Sequence, residues 1–279
     1  MFREAAMKRA GSLISISVFL VTILVTPLTS LDPINVPKLW VISMIGFGVT
    51  LLLLGEIRFL LKNGNYVMVL ACMATPFAML LTFIFAAPSS ATQLFGIFGR
   101  NTGLLTYFAF GVISFGIAVA NKKDIKKPFL FGTVGALAIN SLYGLIQGIG
   151  KDPQDWQNPY SPVIGTLGNP NFAAAFLGMG VAFALTYIVT IGVNVKFKAA
   201  LAAYILVALF AISKSDAQQG VIVSLLSAGL VGFFIIKSRF SNPAIRYSYL
   251  GLGTVSVLFG ILGTLQKGAL ASILYKASV

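Results

Sequence analysis

The chain has 279 residues, of which 57% are apolar and 10% charged, and its net charge at pH 7 is +13. A soluble domain carries about 25% charged residues, so this composition excludes an ordinary soluble protein. The apolar residues come in runs of about 18–22, long enough for a helix to cross the hydrocarbon layer. Because backbone polar groups in lipid must bond within their own segment, these runs predict helices.

The runs predict an all-α membrane protein, a polytopic helical bundle of about nine transmembrane helices that forms one transmembrane domain over residues 1–279. The first run is expected to be a retained span rather than a cleaved signal peptide, because no A-x-A-like site precedes Leu31. The expected spans are 11–30, 39–61, 66–87, 103–121, 128–149, 171–193, 199–213, 219–237 and 247–266.

The connections between these spans alternate in charge. One set carries fourteen basic and three acidic residues (net +11), and the other carries six basic and four acidic residues (net +2). Lys and Arg collect in cytoplasmic loops, which predicts a bacterial inner (plasma) membrane protein with a cytoplasmic N-terminus and an extracytoplasmic residue 279. The basic charge is therefore explained by topology, and no nucleic-acid partner is predicted.

Three connections on the outward side are rich in Gly, Pro, Asn and aromatic or polar residues: 88–103, 151–171 and 213–220. These compositions predict turns and irregular backbone rather than further helix. The third segment follows an apolar run of only about fifteen residues, which would draw its polar end toward the lipid headgroups.

Several residues in these segments are candidates for ligand binding. Arg100 lies between glycines at the start of the fourth span, where it would either hold a phosphate or snorkel to the interface. Asn169 and Pro170 have the pattern of a helix start, which leaves the role of Asn171 open. Trp156 and Tyr160 suit an aromatic belt or a sugar-stacking surface.

The polar segment 213–220 is interpreted either as part of a cleft between helices or as an ordinary exposed turn. Its candidate ligand-binding residues are Lys214, Gln218 and Gln219. Lys38 is also basic and outward but lies outside the three segments, so Lys38→Ala is expected to change activity little. The sequence has no histidine, which excludes Ser-His and Cys-His dyads and His-based metal sites within these residues. No metal site is predicted.

FGIFGRNTGLLTY (95–107), WQNPYSPVIGTLGNPNFAAAFL (156–177) and the polar segment after the next helix resemble the O-antigen ligase/polymerase (Wzy-like) family, over about residues 90–237. The resemblance implies a C-type glycosyltransferase fold and transfer of a glycan from undecaprenyl diphosphate on the outer face of the membrane. The implied acceptor is lipid A core, a growing polysaccharide or a protein hydroxyl. The implied partners include membrane lipid but no nucleotide sugar, cofactor or metal.

The substrate-binding residues that the resemblance implies are Arg100, Trp156, Tyr160, Asn169, Asn171, Lys214, Gln218 and Gln219. No catalytic residue is assigned, and Asp152 and Asp155 are weak candidates for a base. Where the family often has Ser-Arg-Gly, this chain has Ser215-Asp216-Ala217. The family's large periplasmic loop with its catalytic histidine would lie beyond residue 279.

These departures lead us to expect an N-terminal fragment that is truncated before the large loop and is inactive alone. Two alternatives remain open. One is a transporter or flippase that moves lipid-linked glycan without bond chemistry, although no acidic residue lies in the middle of a predicted span. The other is a non-catalytic membrane scaffold.

Overall fold

A computed structural model describes residues 2–26, 32–62, 66–85, 90–119, 122–156, 161–189 and 193–264. The helices in these ranges are α1 (Phe2–Ile23), α2 (Asn35–Lys62), α3 (Tyr66–Phe85), α4 (Ser90–Phe95), α5 (Leu104–Val119), α6 (Lys122–Gly148), α7 (Pro170–Val189), α8 (Val195–Lys214), α9 (Gln218–Arg239) and α10 (Pro243–Thr264).

Each of the nine predicted spans corresponds to one of these helices, so the chain is a polytopic helical membrane protein. Within the described ranges, seven helices are long and apolar enough to cross a membrane, namely α1, α2, α3, α6, α7, α8 and α9. Helix α5 is apolar but has only 16 residues, and α10 is not among the seven. The predicted count of nine is therefore slightly high on these criteria.

Two helix boundaries differ from the predictions. Helix α1 begins at Phe2 rather than near residue 11, because Met7 and Ala10 of the charged start pack into the core. Helix α8 begins at Val195 rather than 199, because the side chain of Asn194 accepts a bond from the Lys196 amide and caps the helix earlier. The prediction of a short span of about fifteen residues was wrong, because α8 has 20 residues.

Two of the segments that were predicted to face outward contain more helix than expected. In 88–103, the run Ser90–Phe95 forms α4 because it contains no glycine or proline. The residues after α4 are irregular as predicted, with positive φ at Gly96, Gly99 and Asn101. In 213–220, only 215–217 lie outside a helix, so Lys214 ends α8 and Gln218 begins α9.

The helices pack around two cores. The first is formed by α1, α2 and α5 around residues such as Ile14, Leu53 and Phe115. The second is formed by α7, α8, the loop before α7 and the start of α9, and includes Leu177 and Ile212. Helices α1 and α6 contact each other closely and join the two cores.

Successive contacts between two neighbouring helices show whether the helices are parallel. Where the residue numbers rise together in both helices, the two run in the same direction. The pairs are Ser15 with Gly132, Phe19 with Gly135 and Thr22 with Asn140 (α1 and α6), Gly144 with Ala211 and Gly148 with Lys214 (α6 and α8), Gly46 with Ala109 and Leu53 with Gly116 (α2 and α5), and Ala174 with Gly220 and Gly178 with Val223 (α7 and α9). Helices α1, α6 and α8 are parallel to one another, as are α2 with α5 and α7 with α9.

The connections therefore fall at two ends of the bundle. We call one the loop end, where α1, α6 and α8 finish and where α2, α5, α7 and α9 begin. The opposite end carries the basic residues Lys127, Lys196, Lys198, Lys237 and Arg239. This separation matches the alternation predicted from charge.

Candidate functional site

A loop at the loop end, residues 161–168, is held by buried polar side chains of the surrounding helices, and we call it the pinned loop. Gln147 in the last turn of α6 is only 2% exposed. Its Oε1 accepts hydrogen bonds from the amides of Ile164 (3.1 Å) and Gly165 (2.8 Å). Buried backbone amides outside a helix need such partners, because an unpaired buried N–H costs about as much as a lost hydrogen bond.

Asn140, two turns before Gln147 on α6, holds the next residue of the pinned loop. Its Oδ1 accepts from the Thr166 amide at 3.3 Å and lies 2.7 Å from the Thr166 hydroxyl. Its Nδ2 donates to the carbonyls of Thr22 (3.3 Å) and Ala136 (3.1 Å). Asn140 therefore connects α1, α6 and the pinned loop through one buried amide.

Lys38 is the third side chain that holds the pinned loop. It lies in the first turns of α2 and is 9% exposed, and its Nζ donates to the Thr166 carbonyl at 2.5 Å. Asp32, also buried, accepts from the amides of Ile34 and Asn35 at the start of the same helix. Lys38 thus has a structural contact that its sequence position did not suggest, and the expectation that its substitution changes activity little stays a prediction.

The start of α2 also contacts the segment that contains Arg100. Asn35 Nδ2 donates to the Gly99 carbonyl at 2.9 Å, one residue before Arg100. A Cβ atom on Gly168 would lie 2.5 Å from Ile34 Cδ1, and Gly168 has φ +71°, so only glycine fits there. The Arg100 segment and the pinned loop therefore meet on the first residues of α2. Arg100 itself is exposed.

Beside the pinned loop lies a cavity of about 240 Å³, which we call the Asp152 cavity. Its polar and aromatic lining comprises Gln147, Asp152, Gln154, Asp155, Trp156 and Ser161. Ile164 and Pro162 of the pinned loop contribute apolar surface. In the part of the chain that the structure describes, no Lys or Arg lines this cavity.

A hydrogen-bond network fixes the walls of the Asp152 cavity. Tyr143 donates its hydroxyl to the Asp152 carboxylate, 3.0 Å from Oδ2, and accepts the indole N–H of Trp156 at 2.7 Å. Gln147 Nε2 donates to Asp152 Oδ2 at 2.8 Å, and the Gln154 amide donates to Oδ1 at 3.0 Å. Asp152 and Trp156 are therefore held in place by the end of α6.

Lys214 lies beside this cavity. The Ser161 hydroxyl, on the cavity wall, donates to the Lys214 carbonyl at 3.4 Å. A Cβ atom on Gly148 would lie 3.3 Å from Lys214 Cγ, so the Lys214 stem packs on the last residue of α6. Gln218 and Gln219 are exposed in the first turn of α9, directly after the turn that follows Lys214.

The remaining predicted site residues are placed as follows. Asn169 caps α7, since its Oδ1 accepts from the amides of Asn171 (2.9 Å) and Phe172 (3.4 Å). The side chain of Asn171 is exposed, and Tyr160 lies outside the described residues. Within the described part of the chain, no contact joins Arg100 to Lys214. A single cleft that contains both cations therefore stays a prediction.

Sequence reasoning missed Asn140, Tyr143 and Gln147, although a signal for them was present. Their spacing of three and four residues places them on one face of an otherwise apolar span. Polar side chains inside membrane helices usually face the protein interior and have a role there. Among the described residues, no group of three or more His, Cys, Asp or Glu side chains is arranged to hold a metal ion.

Comparison with known proteins adds no assignment. No protein-family model matches this chain, and neither a curated protein nor a solved structure matches it significantly. The fold is that of a multi-pass helical membrane protein. Polar and aromatic side chains lie together at one end of its helical bundle.

Proposed function

We propose that this chain acts in the transfer of a glycan from undecaprenyl diphosphate to an acceptor hydroxyl on the outer face of a bacterial inner membrane. The observation that carries the proposal is the position of Lys214 beside the Asp152 cavity. A recess walled by a tryptophan and hydroxyl-binding groups suits a sugar. The exposed side chain of Lys214, whose stem packs on Gly148, can supply an ammonium to the phosphate to which that sugar is attached. The loop end is then extracytoplasmic and the N-terminus cytoplasmic, as the charge distribution favours.

The chemistry of the proposed reaction needs positive charge near the leaving group. Displacement at the anomeric carbon releases a diphosphate, and fixed cations stabilise the charge that develops on it. Lys214 is the candidate nearest the cavity. Arg100 is the second candidate, and the resemblance of its segment to the O-antigen ligase/polymerase family supports it.

The proposal assigns no catalytic base. Asp152 already accepts hydrogen bonds from Tyr143, Gln147 and the Gln154 amide, which suits a binding role better than proton abstraction. Asp155 is exposed at the same cavity and is the better placed of the two carboxylates to meet an acceptor.

Deletion of the gene in its host tests the proposal. We expect undecaprenyl-diphosphate-linked glycan to accumulate in the outer leaflet and the mature glycoconjugate to disappear. Accumulation in the inner leaflet would instead indicate the flippase alternative, and unchanged lipid-linked glycan would contradict both. Complementation with Arg100→Ala should lower transfer about tenfold to a hundredfold, since one charge-assisted bond contributes about 1.5–3 kcal/mol.

A further inference from the structure

We propose that the Asp152 cavity binds a single sugar ring that carries no negative charge, and that it excludes acidic sugars. The inference rests on the proposed function and specifies the substrate class of that site. It concerns the sugar that is attached to the diphosphate. The diphosphate itself would be bound by Lys214.

The size of the Asp152 cavity fits one ring. Its volume is about 240 Å³. Pockets for drug-sized ligands occupy about 300–1,000 Å³, so this volume corresponds to about one ring, and further sugars would lie outside it. The rest of the glycan would extend past the exposed rim formed by Asp155 and Pro162.

Trp156 offers its ring rather than its N–H to a ligand. The indole N–H is already donated to the Tyr143 hydroxyl at 2.7 Å, which also fixes the ring orientation. A fixed aromatic ring packs against the C–H face of a sugar at little cost in side-chain entropy. The polar edge of the sugar then meets Asp152, Gln154 and Ser161.

Asp152 places a fixed negative charge in the cavity wall. Its Oδ1 is contacted by the Tyr143 hydroxyl (3.1 Å) and the Gln154 amide (3.0 Å), and its Oδ2 by the Tyr143 hydroxyl (3.0 Å) and Gln147 Nε2 (2.8 Å). Each oxygen therefore has two donor contacts, as an ionised carboxylate accepts them. A ligand carboxylate would add a second negative charge beside Asp152.

The negative charge of the cavity wall also disfavours an acidic sugar. Asp152 and Asp155 both line it, and among the described lining residues there is no Lys or Arg. Like charges placed together at a binding surface are strongly unfavourable, so the wall selects against an anionic ring. A neutral or amino sugar meets no such penalty.

The two tryptophans of the chain make a direct test possible. In a Trp40→Phe variant, Trp156 is the sole indole, and Trp40 lies away from the cavity with 57% of its surface exposed. The purified chain in detergent is titrated with N-acetylglucosamine, glucosamine and glucuronate while Trp156 fluorescence is recorded. We expect saturable changes with the first two sugars, at affinities at least about tenfold higher than for glucuronate.

The variant Asp155→Asn should reduce the preference for uncharged sugars and glucosamine over glucuronate. The control Asp216→Asn removes an exposed carboxylate at the α8–α9 turn and should leave the preference unchanged. No saturable change with any sugar, or equal affinity for glucuronate, would overturn the inference. A binding result in either direction leaves the gene-deletion test untouched. Failure of this inference and failure of the proposed function are therefore distinguished.

Discussion

Lys38 donates from its Nζ to the backbone carbonyl of Thr166 across 128 residues of sequence. The bond links the beginning of α2 to the pinned loop, which Asn140 and Gln147 hold from α6. Three segments that are distant in sequence thus meet at the loop end, and side chains bind the amides of residues 164–166 and the carbonyl of Thr166 in the pinned loop.

Removal of the Lys38 ammonium should destabilise the protein. Lys38→Met keeps the length of the side chain but leaves the buried Thr166 carbonyl without its donor, at a cost of about 1–3 kcal/mol in the free energy of unfolding. Denaturant titration in detergent measures this change. Lys151→Met, at an exposed lysine of the loop end, is the matched control and should change stability by less than about 0.5 kcal/mol. Unchanged or raised stability of Lys38→Met would show that the pinned loop does not depend on this bond.

Gly180 on α7 should not tolerate a methyl group. A Cβ atom there would lie 1.9 Å from the Tyr204 hydroxyl oxygen and 2.7 Å from Leu137 Cδ2. We expect Gly180→Ala to lower the unfolding free energy by about 1–3 kcal/mol. Gly251→Ala on α10 is the control, because nothing lies within 4 Å of its Cβ position and alanine favours the helix by about 0.5–1 kcal/mol. Equal effects of the two substitutions would contradict the close packing of α7 on α6 and α8.

Loss of the Gln147 side-chain N–H donor should destabilise the protein even when the acceptor oxygen of this side chain remains. Gln147→Glu still accepts from Ile164 and Gly165, but it places a second carboxylate where Nε2 now lies 2.8 Å from Asp152. The expected loss is about 1–3 kcal/mol of unfolding free energy at neutral pH. Gln154→Glu should be milder, because that side chain donates only to the exposed Asp155 carbonyl. If the two variants unfold alike, the network around Asp152 is not a rigid wall.

Orientation can be read from single cysteines, because Cys72 is the sole cysteine in the sequence. In a Cys72→Ala background, the variants Lys196→Cys and Gln218→Cys place thiols at exposed sites near opposite ends of the bundle. A membrane-impermeant thiol reagent added to intact spheroplasts should label the second and spare the first, since basic loops stay in the cytoplasm. The reverse pattern would invert the topology, and labelling of both would contradict the alternation of helices.

The membrane class and the helices were predictable because lipid leaves the backbone no alternative to helix once a long apolar run is present. The alternation was predictable from charge for a similar reason, since lysine and arginine are costly to move across the membrane. Helix ends were less predictable. The early start of α8 depends on the single cap at Asn194, and hydropathy does not register caps.

The candidate site was predictable only in part. Trp156 and Lys214 were identified from composition and position, whereas the partners that orient Trp156 and Asp152 lie on α6. Contacts such as Lys38 with Thr166 have no local signal, because they depend on how helices pack. The polar face of α6 was the available clue, and it was overlooked because its residues sit in a span that reads as apolar overall.

The most direct test of a diphosphate site beside the Asp152 cavity compares two lysines of the same helix. Lys214 ends α8 beside the cavity, and Lys196 lies exposed in its first turn at the opposite end of the bundle. Binding of undecaprenyl diphosphate to the purified protein is measured by native mass spectrometry for Lys214→Ala, Lys196→Ala and the unsubstituted chain. We expect Lys214→Ala to weaken binding about tenfold or more, since one charge-assisted bond is lost, and Lys196→Ala to leave it unchanged. Equal binding by all three proteins would contradict the site.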